Sequence, residues 1–174
     1  MSDVLSQVVN ALQLGSIYAL VALGYSMVYG IILLLNFAHG DIIMVGAYMT
    51  YYAMTTFHLH PVLSVVLAVV VSTLLGVIIE KVAYTPLRSA PRLSLLITAI
   101  GVSFLLENGA QLVFGADTKS MVQTPLISGS VTIGGTSITL SALLTIVVSV
   151  VAMIALTFLV QKTKLGKAMR AVSE

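Results

Sequence analysis

Long stretches with almost no charged residue restrict the fold of this 174-residue chain more than any other feature. A helix needs roughly 20 apolar residues to cross the hydrocarbon core of a bilayer. Only 8% of the residues are charged, whereas soluble domains carry roughly 25%. We therefore expect an all-α integral membrane protein, a polytopic helical bundle of about five spans. The predicted spans are 14–35, 41–57, 61–80, 93–114 and 138–160.

The second predicted span is the shortest, and it follows a polar turn over 36–41. The 16 residues from Ile42 to Phe57 would extend about 24 Å as a helix, which is less than a hydrocarbon core of about 30 Å. Such a helix crosses the membrane only if its polar start lies below the interface. The turn at 36–41 is therefore expected to dip into the membrane.

Basic residues predict how the spans are oriented, because short loops rich in Lys and Arg stay cytoplasmic. Seven of the eight basic residues follow the third or the fifth span, and these are Lys81, Arg88, Arg92, Lys162, Lys164, Lys167 and Arg170. Two spans separate the clusters, so both clusters fall on the same side. We expect residue 174 in the cytoplasm, and the N-terminus and the loop 115–137 outside.

The predicted external loop contains two short runs that are typical of strands. Gly134 and Gly135 separate them, which favours a two-residue turn and predicts a β-hairpin near 131–138. The same glycines follow Gly129 at nearly the spacing of a phosphate-binding loop. Because the essential Lys is absent, we reject nucleotide binding there. The first residues carry no basic segment, so the first span is not expected to be a cleaved signal peptide.

Several polar residues are expected at membrane depth, namely Asn36, His39, Asp41, Glu107 and Asn108. Asp41 is interpreted either as the cap of the following helix in a structural turn or as part of a pathway for a polar solute. Glu107 lies 15 residues after Arg92, about 22 Å along a helix and in the outer half of the membrane. It either lines a pathway or packs against another helix. No nucleophile or metal-ligand set accompanies these residues, so neither a catalytic nor a metal site is predicted.

The segment 164–174 combines charge with a small apolar face. On a helix, Lys167 and Arg170 share one side, while Ala168 and Ala171 lie on another. Two interpretations stay open: a cytoplasmic anchor, or a helix whose small face enters a groove of a soluble partner.

Several motifs follow one another along nearly the whole chain. They are GSIYAL at 15–20, NFAHGD at 36–41, AYTPLR at 83–88, IG at 100–101, FG at 114–115 and LGKAMRA at 165–171. Together they resemble the membrane permeases of branched-chain amino acid ABC transporters of the LivH type. The motif that begins at 165 continues past Glu174 in that family, so we expect this sequence to be part of a longer permease.

The resemblance implies a multi-pass subunit in a bacterial or archaeal plasma (inner) membrane, surrounded by lipid. Its partners would be a second permease subunit similar to LivM, two cytoplasmic ATPase subunits and an extracytoplasmic solute-binding protein. The chain itself would be no enzyme and hold no cofactor, since its partners use the ATP, and it would bind no nucleic acid. The residues that would begin the helix coupling to the ATPase are Gly166, Lys167, Ala168, Arg170 and Ala171.

The resemblance implies branched-chain amino acids as the solute, with urea or short amides as an alternative because similar relatives carry them. Outside the family, the alternative is a channel or an ion-coupled secondary transporter that uses Asp41 and Glu107. A membrane enzyme built on His39 and Asp41 is the weakest alternative.

Overall fold

Apolar helices make up most of the computed structural model, which describes residues 2–32, 35–121, 129–133 and 136–173. The elements within these residues are α1 (Ser2–Ile32), α2 (His39–Thr55), α3 (Pro61–Ile79), α4 (Arg92–Phe114), β1 (Ser130–Ile133), β2 (Thr136–Thr139), α5 (Leu140–Lys162) and α6 (Lys164–Ser173). A π-helical turn (Glu80–Tyr84) and a 3₁₀ turn (Thr85–Leu87) link α3 to α4. The predicted helical class with one small β-hairpin is confirmed.

Four helices in the described part of the chain are long and apolar enough to cross a membrane. These are Val4–Gly30, Pro61–Leu87, Arg92–Phe114 and Leu140–Lys162. Helix α2 has 17 residues, fewer than the roughly 20 that a straight crossing needs. The membrane crossing over 41–57 therefore stays a prediction.

The surfaces of these helices are apolar, and their contacts are made by small residues. On α4, for example, Leu105 and Leu112 are 72% and 88% exposed, as suits a lipid-facing helix. The most deeply buried of the described residues are small, and they include Ala53, Ser64, Ala99 and Ala142, each no more than 1% exposed. Small side chains let helix backbones approach closely, which is how membrane helices gain packing energy.

The chain divides into two units, and the first comprises α1, the β-hairpin, α5 and α6. Helix α1 packs against α5, α6 and β2. The strands pair antiparallel, from Ser130 with Thr139 to Ile133 with Thr136. Because Ile138 pairs with Val131 in this sheet, α5 begins at Leu140, two residues after the predicted start of the fifth span.

The second unit comprises α2, α3, the two turns and α4. Helix α2 packs along α3, and α4 contacts both α2 and the π-helical turn. The approach of α2 to α3 is close at Gly46, where a Cβ atom would lie 2.7 Å from Ser72 Oγ. Ser72 Oγ also donates to the carbonyl oxygen of Ile42 at 3.5 Å. The first turns of α2 are thereby held against the middle of α3.

The end of α3 departs from α-helical geometry before a proline. The backbone N–H of Thr85 donates to the carbonyl oxygen of Glu80, five residues earlier, which defines the π-helical turn. Pro86 has no N–H and cannot continue a helical ladder. An exposed ion pair of 3.0 Å between Arg88 and Glu80 joins the two ends of this connection. Thr85 Oγ1 donates to the same Glu80 oxygen at 2.8 Å.

Candidate functional site

The polar turn over 36–41 is anchored by its side chains to two other parts of the second unit. Its first anchor is Asn36, whose Oδ1 accepts a hydrogen bond of 3.0 Å from the Tyr84 hydroxyl at the end of the π-helical turn. Within the turn, the backbone N–H of His39 donates to the carbonyl oxygen of Asn36 at 3.1 Å. His39 itself is half-buried.

The second anchor is Asp41, a carboxyl group in the first turn of α2 that is only 7% exposed. Ser103 Oγ, on α4, donates to Asp41 Oδ2 at 2.5 Å. The position of Asp41 is favourable because the N-terminus of a helix carries partial positive charge. A buried carboxyl group is thus placed beside a hydroxyl donor and a helix N-terminus, and it fixes α2 against α4.

The interpretation of Asp41 as the helix cap is wrong. The capping position belongs to Ala38, which has no side chain that can cap, and Asp41 lies three residues further along. Ala38 is fully buried, and its carbonyl oxygen accepts the backbone N–H of Ile42 at 3.1 Å. Asp41 therefore bonds across the unit, to α4, instead of closing its own helix end.

Glu107 and Asn108 are both exposed on α4, but they point to different sides of the helix. Glu107 follows Ser103 by four residues, so these two share a side. Gln111 extends that row by another turn. Asn108 lies about 100° away around the helix, and its Nδ2 donates to the carbonyl oxygen of Phe104 at 2.7 Å. The structure thus places Glu107, and not Asn108, on the side that reaches Asp41 through Ser103.

Ser103, Tyr84 and Gln111 were missed by the sequence analysis. A signal for the row on α4 was present in the four-residue spacing of Ser103, Glu107 and Gln111. Tyr84 gave no such signal, because its partner Asn36 lies 48 residues earlier. Among the described residues, no group of three His, Asp or Glu side chains is arranged to hold a metal ion.

The predicted coupling residues lie in the first unit, on α6. The helix begins immediately after Thr163, whose Oγ1 accepts the backbone N–H of Gly166 at 3.1 Å. Lys167 donates its backbone N–H to the carbonyl oxygen of Thr163 at 3.1 Å. Ala168 and Ala171 are exposed, as a contact face requires. Arg170 lies in α6, and its side chain is outside the described part of the chain.

Gly166 sits where the chain turns sharply from α5 into α6. A Cβ atom at this position would overlap the backbone of Val160 and would lie 2.6 Å from the carbonyl oxygen of Leu159. Neither group can move without disturbing the last turn of α5. Only glycine fits this junction, so Gly166 sets the direction in which α6 leaves α5.

Comparison with known proteins shows the family of the chain. A family model described as "Branched-chain amino acid transport system / permease component" matches residues 7–174. The chain belongs to this family. The permease protein BraD of the high-affinity branched-chain amino acid transport system of Pseudomonas aeruginosa is 39% identical over 98% of the chain. The corresponding LivH permease proteins of Escherichia coli K12 and Salmonella typhimurium are 36% identical over the same share.

The chain spans 59% of the length of each of these relatives. The residues of this chain that match the family model include the polar turn, the row of Ser103, Glu107 and Gln111, and α6. No solved structure matches the chain.

Proposed function

We propose that this chain forms a membrane-spanning part of a permease that imports branched-chain amino acids. The observation that carries the proposal is the family match over residues 7–174. The names of BraD and LivH refer to branched-chain amino acid transport, which favours these solutes over urea or short amides. Four apolar helices of membrane-crossing length are consistent with a multi-pass protein of the inner membrane.

The hydrogen bonds of the polar turn support a structural role for Asn36 and Asp41. Both side chains are already engaged, Asn36 by Tyr84 and Asp41 by Ser103. A group that couples transport to an ion must be able to exchange its partner, which makes the secondary-transporter alternative less favourable. The turn instead fixes the start of α2, while Glu107 stays exposed and available to line a pathway.

The partners follow from the family as further parts of the proposal. A second permease subunit similar to LivM completes the pathway, two cytoplasmic ATPases hydrolyse ATP, and an extracytoplasmic protein delivers the solute. The N-terminus lies outside and α6 inside. The exposed small face of α6, which includes Ala168 and Ala171, enters a groove of the ATPase.

Uptake of radiolabelled leucine tests the proposal. The full-length permease is expressed with its partner subunits in cells that lack leucine uptake, and a matched control carries an ATPase unable to hydrolyse ATP. We expect uptake in the first cells only, with isoleucine and valine as competitors and urea or acetamide without effect. Uptake that persists with the inactive ATPase, or competition by urea alone, would contradict the proposal.

A further inference from the structure

The middle of α2 and the segment that follows α4 line an open cleft of about 220 Å³ in the second unit. This volume is below the roughly 300 to 1,000 Å³ of pockets for drug-sized molecules, so the cleft suits a smaller solute. Its lining consists of apolar and aromatic side chains with one cation. The residues are Met44, Ala47, Tyr48, Tyr51, Lys119 and Met121.

Two local features of the backbone build the cleft. Met44, Ala47, Tyr48 and Tyr51 are spaced by three or four residues, so they share one face of α2. On the other side, Gly115 ends α4 in a left-handed conformation, with φ at 82°. This conformation is costly for other residues, and it turns the chain so that the segment up to Met121 lies against that face.

Aromatic packing holds the wall of the cleft in place. Tyr48 stacks on Phe114 of α4 with ring centroids 4.4 Å apart, and Tyr52 stacks on the same phenyl ring at 5.3 Å. Tyr51 meets Tyr52 edge to face at 5.2 Å. Such pairs contribute beyond the apolar area that they bury, so both cleft tyrosines are ordered before any solute arrives.

Lys119 gives the cleft its charge. Its side chain is half-buried, and among the described residues no carboxylate lies within ion-pair distance of it. A partly desolvated ammonium group without an acidic partner favours an anionic ligand, because its interaction with that charge is screened less than in water. The two methionines add flexible apolar surface that adapts to branched side chains.

We propose that this cleft binds a small carboxylate with an aliphatic side chain. The carboxylate lies at Lys119, and the aliphatic part lies against Met44, Met121 and the ordered tyrosines. The inference rests on the proposed function and extends it, since the cleft would hold the amino acid along the middle of α2, beyond the polar turn, before it crosses the membrane.

Photolabelling with a leucine analogue that carries a diazirine in its side chain tests the site without relying on transport. Membranes containing the complete transporter are illuminated with this probe, and mass spectrometry identifies the labelled residues. We expect label on the α2 face from Met44 to Tyr51 and at Met121. Excess leucine should remove the label, whereas leucinamide, which lacks the carboxylate, should compete poorly.

Variants at Lys119 complete the experiment. Lys119→Gln should lower cleft labelling roughly tenfold, as expected when one member of a charge pair is removed, and Lys119→Arg should retain it. Lys81→Gln, on the exposed π-helical turn, is the matched control and should leave labelling unchanged. Label on other segments, or labelling that Lys119→Gln does not alter, would overturn the site.

The outcomes for the cleft and for the proposed function can be distinguished. Leucine uptake with an unlabelled cleft would overturn the cleft site and leave the importer function standing. Labelling that depends on Lys119, without any leucine uptake by the complete transporter, would support the carboxylate site and contradict the importer function.

Discussion

The Tyr84 hydroxyl donates a hydrogen bond of 3.0 Å to Asn36 Oδ1, across 48 residues of sequence. This bond joins the polar turn before α2 to the π-helical turn after α3. Replacing Tyr84 with Phe keeps the ring and removes the donor. Because the loss of one such bond costs about 1 kcal/mol, we expect Tyr84→Phe to lower the melting temperature of the purified permease and to reduce leucine uptake.

Tyr18→Phe is the matched control for that variant. The Tyr18 side chain is 71% exposed on α1, and the substitution removes the same hydroxyl. Its melting temperature should equal that of the wild type. If both variants melt alike, the bond between Tyr84 and Asn36 does not stabilise the fold.

Ser103→Ala should be more damaging, because it removes the donor from a carboxyl group that is 7% exposed. We expect a loss of about 1 to 3 kcal/mol in the free energy of unfolding, the usual cost of leaving a buried polar group without its hydrogen-bond partner. Ser26→Ala removes an exposed hydroxyl that bonds only within its own helix and should have little effect.

Adding Asp41→Asn to Ser103→Ala should give a combined loss that differs from the sum, since the two residues are in contact.

Glu107→Gln and Asn108→Ala test which side of α4 lines the proposed pathway. Glu107 is exposed and shares a side with Ser103, whereas Asn108 bonds to the backbone of its own helix. We expect Glu107→Gln to reduce the rate of leucine uptake about tenfold, which corresponds to about 1.4 kcal/mol. Asn108→Ala should leave the rate nearly unchanged. The opposite order of effects would place the pathway on the other side of α4.

Gly166→Ala and Gly15→Ala are the same substitution with opposite expected results. The methyl group at Gly166 would overlap the backbone of Val160, whereas nothing lies within 4 Å of a Cβ at Gly15. We expect Gly166→Ala to destabilise the junction by about 1 to 3 kcal/mol and to reduce co-purification of the ATPase. Gly15→Ala should gain about 0.5 to 1 kcal/mol, as for glycine replaced within a helix. Equal ATPase recovery from both variants would show that the junction does not position α6.

The sequence was informative where one local property decides the structure. Long apolar runs predicted helices, and the most hydrophobic, in α3 and α5, needed no other information. Gly134 and Gly135 between β-prone residues predicted the hairpin, which the structure confirms in the pairing of Val131 with Ile138. The start of α5 was predicted too early because Ile138 is apolar enough for either element.

The candidate site depended on tertiary contacts, and the sequence gives little signal for those. Asp41 next to a helix start resembles a cap, and only the packing of α4 shows that it bonds to Ser103, 62 residues away. In the sequence, Lys119 is the only basic residue of the loop 115–137. Its place in the cleft that Met44 also lines depends on the left-handed turn at Gly115. A glycine after an apolar helix does not by itself predict that geometry.

The π-helical turn Glu80–Tyr84 makes the direction of the Tyr84 side chain sensitive to the deletion of a single residue. In this turn the backbone bond from Thr85 reaches back five residues, to Glu80, one more than in an α-helix. Deleting one residue from the turn would restore α-helical spacing and rotate Tyr84 by about 100° about the axis of α3. Its hydroxyl would then face away from Asn36, so the spacing between Glu80 and Tyr84 matters as much as the identity of either residue.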